Sequence, residues 1–312
     1  MGYTIEDAFI PSSRDGCKIA ISIYKPDGVK RPMPTVVMAH GIGAIKAAGL
    51  SPFASEFTSE GYAAVTFDYV GFGESGGTPR NVLDVRRQLQ DFRDVVRWAR
   101  DPEQGGWVDA ARLVAWGSSF GGMHTTALMA EDHGMAAGIA QCPLVDGRAG
   151  AMKMPLGRSL RLAAAAVADI AGAYLLGGAR EPRYVDLVSD GSTTAVMASK
   201  EAAEGRARLT PRHGEEWPNI IAGRSLLNIV MSRPLLQVHK STRPYLIVLP
   251  TWDHEASLDA AEECVRRAPL GECLRVEGGH FDLYEGGVAY EKNVAGQKLF
   301  LRRVLRQEAA AG

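Results

Sequence analysis

Two patterns of apolar residues alternate along most of the chain. In "TIEDAFIP" and "CKIAISIYKP" apolar and polar residues exchange places step by step, with Asp15-Gly16 between them. Asp-Gly supplies turn geometry, so an antiparallel hairpin is expected at the start. From Thr35 onward, short runs that are apolar almost throughout take over: "TVVMAH" (35–40), "YAAVTFDY" (62–69), "RLVAWG" (112–117) and "MAAGIAQC" (135–142). Segments of helical period separate them at 51–61, 83–100 and 119–134. Strands that are apolar on both faces and alternate with helices predict a parallel sheet covered on both sides.

This rhythm lapses near Asp146 and resumes with "RPYLIVLPTWD" (243–253), a helix at 257–269, "ECLRVEGGH" (272–280) and a final helix through 296–307. The intervening stretch is Ala-rich, then polar, then helical again. The expectation is an α/β core made of residues 1–146 and 243–312, interrupted by a helical lid at 147–242 that lies over the carboxyl ends of the strands. The apolar run Leu162–Gly178 contains Asp169 and is short for a bilayer crossing, so it is read as a buried or lid helix.

Composition narrows the function classes. The 312 residues include 35 Lys plus Arg against 36 Asp plus Glu, so a net charge of −1 offers no footprint for nucleic acid or an anionic membrane. A small molecule is the expected partner. Cys17, Cys142, Cys264 and Cys273 form no C-x-x-C pair and no cluster with histidine at ligand spacing. They are read as reduced, mostly core thiols, and neither metal nor cofactor is expected. No basic segment followed by an apolar run opens the chain, and Glu6 breaks a myristoylation pattern at Met1-Gly2, so the expected location is cytoplasmic.

The candidate chemistry centres on Gly117-Ser118-Ser119-Phe120-Gly121, a G-x-S-x-G with a strand before it and a helix after it. A serine on so sharp a turn takes unfavourable backbone angles, and glycines two residues either side remove the collisions that side chains would make. Ser119 is the expected nucleophile and Ser118 the bland neighbour. The Phe120 N–H opens the helix and is aimed at a developing oxyanion, with the Ile42 N–H in "AHGIG" (39–43) as the second donor. Of seven histidines, His280 alone combines a strand end, a glycine-flanked loop and the right chain order for a general base. Asp253, ending "YLIVLPTWD", is the preferred acid. Asp146 is its rival, Asp282 lies too close along the chain to His280, and a helix-capping role is the bland alternative for Asp253.

Together "AHGIG", "FDYVGFGESGG", "GSSFGG", "LPTWD" and "GGHF" resemble the α/β-hydrolase superfamily over nearly the whole chain. More narrowly, "SRDGCKIAISIYKP", "GSSFGGMH" and "GGHFDLYEG" look like dienelactone-hydrolase-like and polyketide-transferase-like serine hydrolases. The resemblance implies an α/β-hydrolase fold and an ester, thioester or other acyl substrate, free or on a carrier protein, with hydrolysis or acyl transfer as the reaction. A binding or cyclisation-assisting protein on the same scaffold is the reading from another class. The glycines of "FDYVGFGESGG" do not open a helix, which argues against a phosphate loop. The acid turn departs from the family pattern because bulky Trp252 stands where a small residue is common. His40, Trp252, Met152 and Tyr174 are the candidates for the substrate pocket, although most apolar residues of the insertion, Met154, Leu156 and Leu160 included, are read as packing the lid onto the sheet. Pairing of lid helices in a homodimer is left open.

Overall fold

The computed structural model describes all residues except 1, 15, 30, 31, 176–180, 212–215 and 312. Asp15 of the expected hairpin turn, His213 and the end of the 162–178 apolar run lie outside the described residues. The hairpin forms as β1 (Tyr3–Pro11) and β2 (Lys18–Pro26), paired antiparallel from Tyr3↔Pro26 to Pro11↔Lys18. Then come β3 (Met33–Ala39), α1 (Ser51–Ser59), β4 (Ala63–Phe67), α2 (Val85–Arg100), α3 (Pro102–Gly105), β5 (Val108–Ser118), α4 (Phe120–Glu131) and β6 (Ala137–Gln141). The insertion carries α5 (Gly147–Met152), α6 (Leu156–Leu175), β7 (Tyr184–Ser189), β8 (Ala195–Ala198), α7 (Lys200–Leu209), β9 (Ile220–Ala222) and α8 (Gly223–Val230). The core closes with β10 (Tyr245–Pro250), α9 (Leu258–Arg267), β11 (Gly271–Val276) and α10 (Tyr290–Ala311).

The eight core strands run in the order β1-β2-β4-β3-β5-β6-β10-β11, with antiparallel pairing confined to β1, β2 and the β2–β4 edge. This is the α/β-hydrolase fold. Register does the positioning: Ala39 pairs with Gly117, Ser118 with Gln141, Gln141 with Val248 and Pro250 with Val276. The carboxyl ends of five parallel strands therefore finish level, and the loops after them meet above one edge of the sheet. Helices cover both faces, and their apolar stripes bury large rings against the strands, as where Phe53 of α1 lies 5.2 Å from Trp116 of β5.

The insertion differs from the expected all-helical lid. It contains a three-stranded sheet in the order β8-β7-β9, built from short strands in which polar Asp186 and Ser189 share a segment with Val185, Leu187 and Val188. Strands of three to six residues give too little alternation to stand out from a polar loop. Asp169 of α6 holds the two halves together, accepting from the backbone of Arg183 and Arg224 and from the Arg224 guanidinium at 2.7 and 2.9 Å. Burial opposes its charge, but these donors outweigh it and lower its pKa. Among the described residues no helix is long and apolar enough to cross a membrane.

Candidate active site

Ser119 stands between β5 and α4 with φ +54° and ψ −113°, a conformation that a non-glycine residue holds only when its surroundings impose it. The surroundings are explicit. Its N–H donates to the Gln141 carbonyl at 2.9 Å, and its own carbonyl accepts from Gly122 and Leu144 at 3.0 Å each. A Cβ on Gly117 would lie 2.2 Å from the Gly121 carbonyl oxygen, and one on Gly121 would lie 2.3 Å from that of Ala39. Both glycines are thus required by backbone closing on backbone.

His280 follows β11 and is buried. Its Nδ1–H donates to Asp253 Oδ2 at 2.8 Å, which places the lone pair on Nε2, and the ring also interacts with the side chain of Cys142. The second oxygen of Asp253 accepts from the N–H groups of Glu255 and Ala256 at 2.8 and 2.7 Å. The turn after β10 therefore presents one carboxylate oxygen to the imidazole and uses the other to hold its own shape. The helix cap that might have claimed Asp253 is Ser257 instead. Burial works against a charged imidazole, but the adjacent Asp253 carboxylate, joined by the Cys142 side chain, outweighs it and raises the His280 pKa well above its usual value. The carboxylate is correspondingly lowered.

Ser119 and His280 line one small cavity. Ser119 Oγ takes no hydrogen bond from or to the other described residues. Phe120 begins α4, so its N–H has no intrahelical acceptor, and the positive end of the helix dipole points at the same spot. Ile42 lines both the small cavity and the larger one beside it. Asp146, the rival acid, caps α5 through the Ala149 N–H and pairs with Arg233 at 2.9 Å, away from the imidazole.

The pocket candidates fare differently. His40 is 1% exposed and lies behind the loop, its Nδ1 donating to the Gly41 carbonyl and its ring 4.6 Å from Tyr69. Met152 and Tyr174 are 76% and 87% exposed, and Trp252 is 45% exposed beside Gly279, so none of these walls a cavity around Ser119. The walls come from elsewhere. A cavity of about 350 Å³ runs from Ser119 between α5, α6 and α8, bounded by Met154, Leu162, Ala166, Met197 and Ile229. Lys153, Arg158, His254 and Glu255 supply its polar groups. Lys153 also donates to the carbonyls of Asp253 and Ala256 at 2.5 and 2.7 Å, tying the lid to the acid turn. No motif marks these residues, because which side of an alanine-rich helix faces inward depends on its rotation in the fold.

Two further features escaped the motifs or refine them. Ser118 is buried and shares hydrogen bonds with Tyr284 Oη at 2.5 Å and Gln141 Nε2 at 3.0 Å, joining a network that continues through Asn293 and Gln297 to Trp116. The loop of "FDYVGFGESGG" wraps its own carboxylate: Asp68 accepts from the N–H groups of Lys46 and Glu74, and a Cβ on Gly73 would fall 2.2 Å from it. An anion is bound there, and it belongs to the chain. The cysteines are free, with Cys142 and Cys264 buried, Cys17 half-buried and Cys273 exposed.

Residues 15–255 match the family described as X-Pro dipeptidyl-peptidase (S15 family). The quorum-quenching protein AidA of Acinetobacter baumannii is 35% identical over 288 residues, covering 92% of each chain. The thiohydrolase aneE of Aspergillus aculeatus is 33% identical over 132 residues, 42% of this chain and 40% of its own. The solved structure of the α/β hydrolase GrgF from Penicillium sp. sh18 matches with a TM-score of 0.78 at 26% identity, covering 96% of this chain and 98% of its own.

Proposed function

This chain belongs to the S15 family of α/β hydrolases and is an enzyme of the α/β-hydrolase type; from that premise we propose that it is a serine hydrolase cleaving an ester or thioester of a hydrophobic small molecule through an acyl-enzyme on Ser119. The observation that carries the reading is the strained Ser119 facing the same cavity as a His280 already oriented by Asp253 at 2.8 Å. His280 Nε2 takes the Ser119 proton as Oγ attacks the acyl carbon, and the Phe120 and Ile42 N–H groups receive the oxyanion. The imidazolium, stabilised by Asp253, then gives its proton to the leaving atom, and water activated by His280 releases the acid. No cofactor is required for these steps.

The large apolar cavity favours a hydrophobic acyl group, and the relative named as a thiohydrolase supports acyl chemistry. The peptidase activity in the family description fits less well. A free peptide amino terminus needs carboxylates, whereas Lys153 and Arg158 face this cavity and Glu255 is the one acid among its described lining residues. Acyl transfer to an alcohol or amine uses the same acyl-enzyme and is the second reading, supported by the relative named polyketide transferase grgF. Against a vestigial site stands the Asp253–His280 bond at 2.8 Å beside a strained Ser119. Intact-protein mass spectrometry after exposure to a fluorophosphonate tests the proposal: one adduct on the wild type and none on Ser119→Ala is expected. Absence of an adduct on folded wild type would overturn it.

A further inference from the structure

Ser119 sits at a junction between two spaces of very different size. On one side is the apolar cavity of about 350 Å³ reaching under the lid, with Phe120 on its wall. On the other is a narrower cleft of about 30 Å³ lined by Gly41, Leu209, Trp217, Phe281 and Tyr284. His280 lines only the small one, while Ser119 and Ile42 line both.

The chemistry assigns contents to each. The imidazole must protonate the leaving atom and afterwards deprotonate whatever attacks the acyl-enzyme, so both groups pass on its side of Ser119. A space of about 30 Å³ holds roughly one or two waters. Its walls are braced: Trp217 Nε1 donates to the Gly43 carbonyl at 2.7 Å, and Arg206 donates to the Trp217 carbonyl while its guanidinium stacks 4.5 Å from that ring. Tyr284 is held through Ser118, and Leu209 packs where a Cβ on Gly49 would come within 2.7 Å.

Resting on the serine-hydrolase reading above, we infer that this enzyme takes acyl compounds with a large apolar acyl group and a leaving group no bigger than a one- or two-carbon alcohol or thiol, and that the same constriction makes water its acceptor. The long acyl chain occupies the lid cavity. In the first half-reaction the Ser119 Oγ–acyl bond forms, the acyl–oxygen or acyl–sulfur bond breaks, and the leaving atom departs with the proton that Ser119 gave to His280. In the second, water adds to the acyl carbon, its proton passes to His280 and then to Ser119 Oγ, and the carboxylic acid leaves. Larger alcohols, amines and thiols are excluded as leaving groups and as acceptors alike, so bulky acyl transfer is closed to the enzyme as folded.

The test holds one side constant and varies the other. With octanoyl esters of methanol, ethanol and benzyl alcohol, kcat/KM is expected to fall at least tenfold from methyl to benzyl. With methyl esters of four to eight carbons, each added CH₂ is expected to raise kcat/KM by up to about fourfold. Trp217→Ala widens the small cavity, and the benzyl-to-methyl ratio of kcat/KM should rise at least tenfold. Leu209→Ala, which opens another wall of the same space, serves if Trp217→Ala does not fold. Ala166→Trp fills the large cavity and should lower the octanoyl-to-acetyl ratio. Equal turnover of benzyl and methyl octanoate, or benzyl alcohol competing with water for the acyl-enzyme, would overturn the inference while leaving Ser119 acylation intact. Failure of the fluorophosphonate adduct would instead sink the underlying hydrolase reading.

Discussion

Two buried histidine environments lie close together in this fold and behave in opposite ways. Beside Ser119, His280 has a carboxylate at 2.8 Å and its pKa is raised. Behind the nucleophile turn, His40 and His124 pack against Tyr69 and are equally buried, but burial dominates and takes them down to about 4 and about 3. Asp68 is 3.9 Å from His40 Nε2, too far for a hydrogen bond, and its oxygens serve the N–H groups of Lys46 and Glu74. Burial alone makes an inert ring. A carboxylate held in place by its own turn makes a ring that binds a proton more tightly.

The sharpest way to break this contrast is Asp253→Asn, which should cut kcat by about 10⁴-fold near neutral pH. Because the base must be neutral to accept the Ser119 proton, wild-type kcat/KM should rise with pH through an inflection above 6.5. In Asp253→Asn the inflection should move down, and an unmoved profile would contradict the assigned pairing. Next in size, Gly121→Ala places a Cβ 2.3 Å from the Ala39 carbonyl oxygen at the turn dividing the two regions. A loss of about 3 kcal/mol in urea unfolding is expected.

The quiet histidines should announce themselves in acid. Both fold with depressed pKa values, so the unfolded chain binds more protons below pH 6.5, and their stabilisation is present above that pH and lost as pH falls toward 4. Each contributes roughly 2 kcal/mol of loss between pH 6.5 and 5. Asp91, raised to about 7 by burial, keeps its proton when folded and offsets about one of them. The net loss of about 2 kcal/mol should appear in urea midpoints at the two pH values and shrink in His124→Gln. Smallest, Lys153→Met should lower kcat/KM about tenfold by loosening the turn that holds Asp253 against His280. The observable is a shifted pH profile, which a purely folding defect would not produce.

The core was legible because its strands are apolar on both faces and bounded by glycines whose function is steric. The runs beginning at Thr35, Arg112 and Arg243 fall within a few residues of β3, β5 and β10. Ser119, His280 and Asp253 could be placed because each ends a recognisable strand, and strand ends converge by register. The lid offered no such anchor. In α6 Leu162, Ala163, Ala166, Val167 and Ile170 line the cavity while Leu156, Leu160 and Tyr174 point to solvent, a division that apolar character alone does not mark. His40 and Trp252 neighbour the reacting groups in sequence, but backbone direction carries the first inward and the second outward.

The ammonium of Lys153, held by the carbonyls of Asp253 and Ala256, makes residues 147–242 something other than a replaceable cover. Anyone grafting this insertion onto another hydrolase, or exchanging it to change selectivity, would also be changing the support of Asp253. Transplants should therefore carry the 250–256 turn with the lid, as a single cassette.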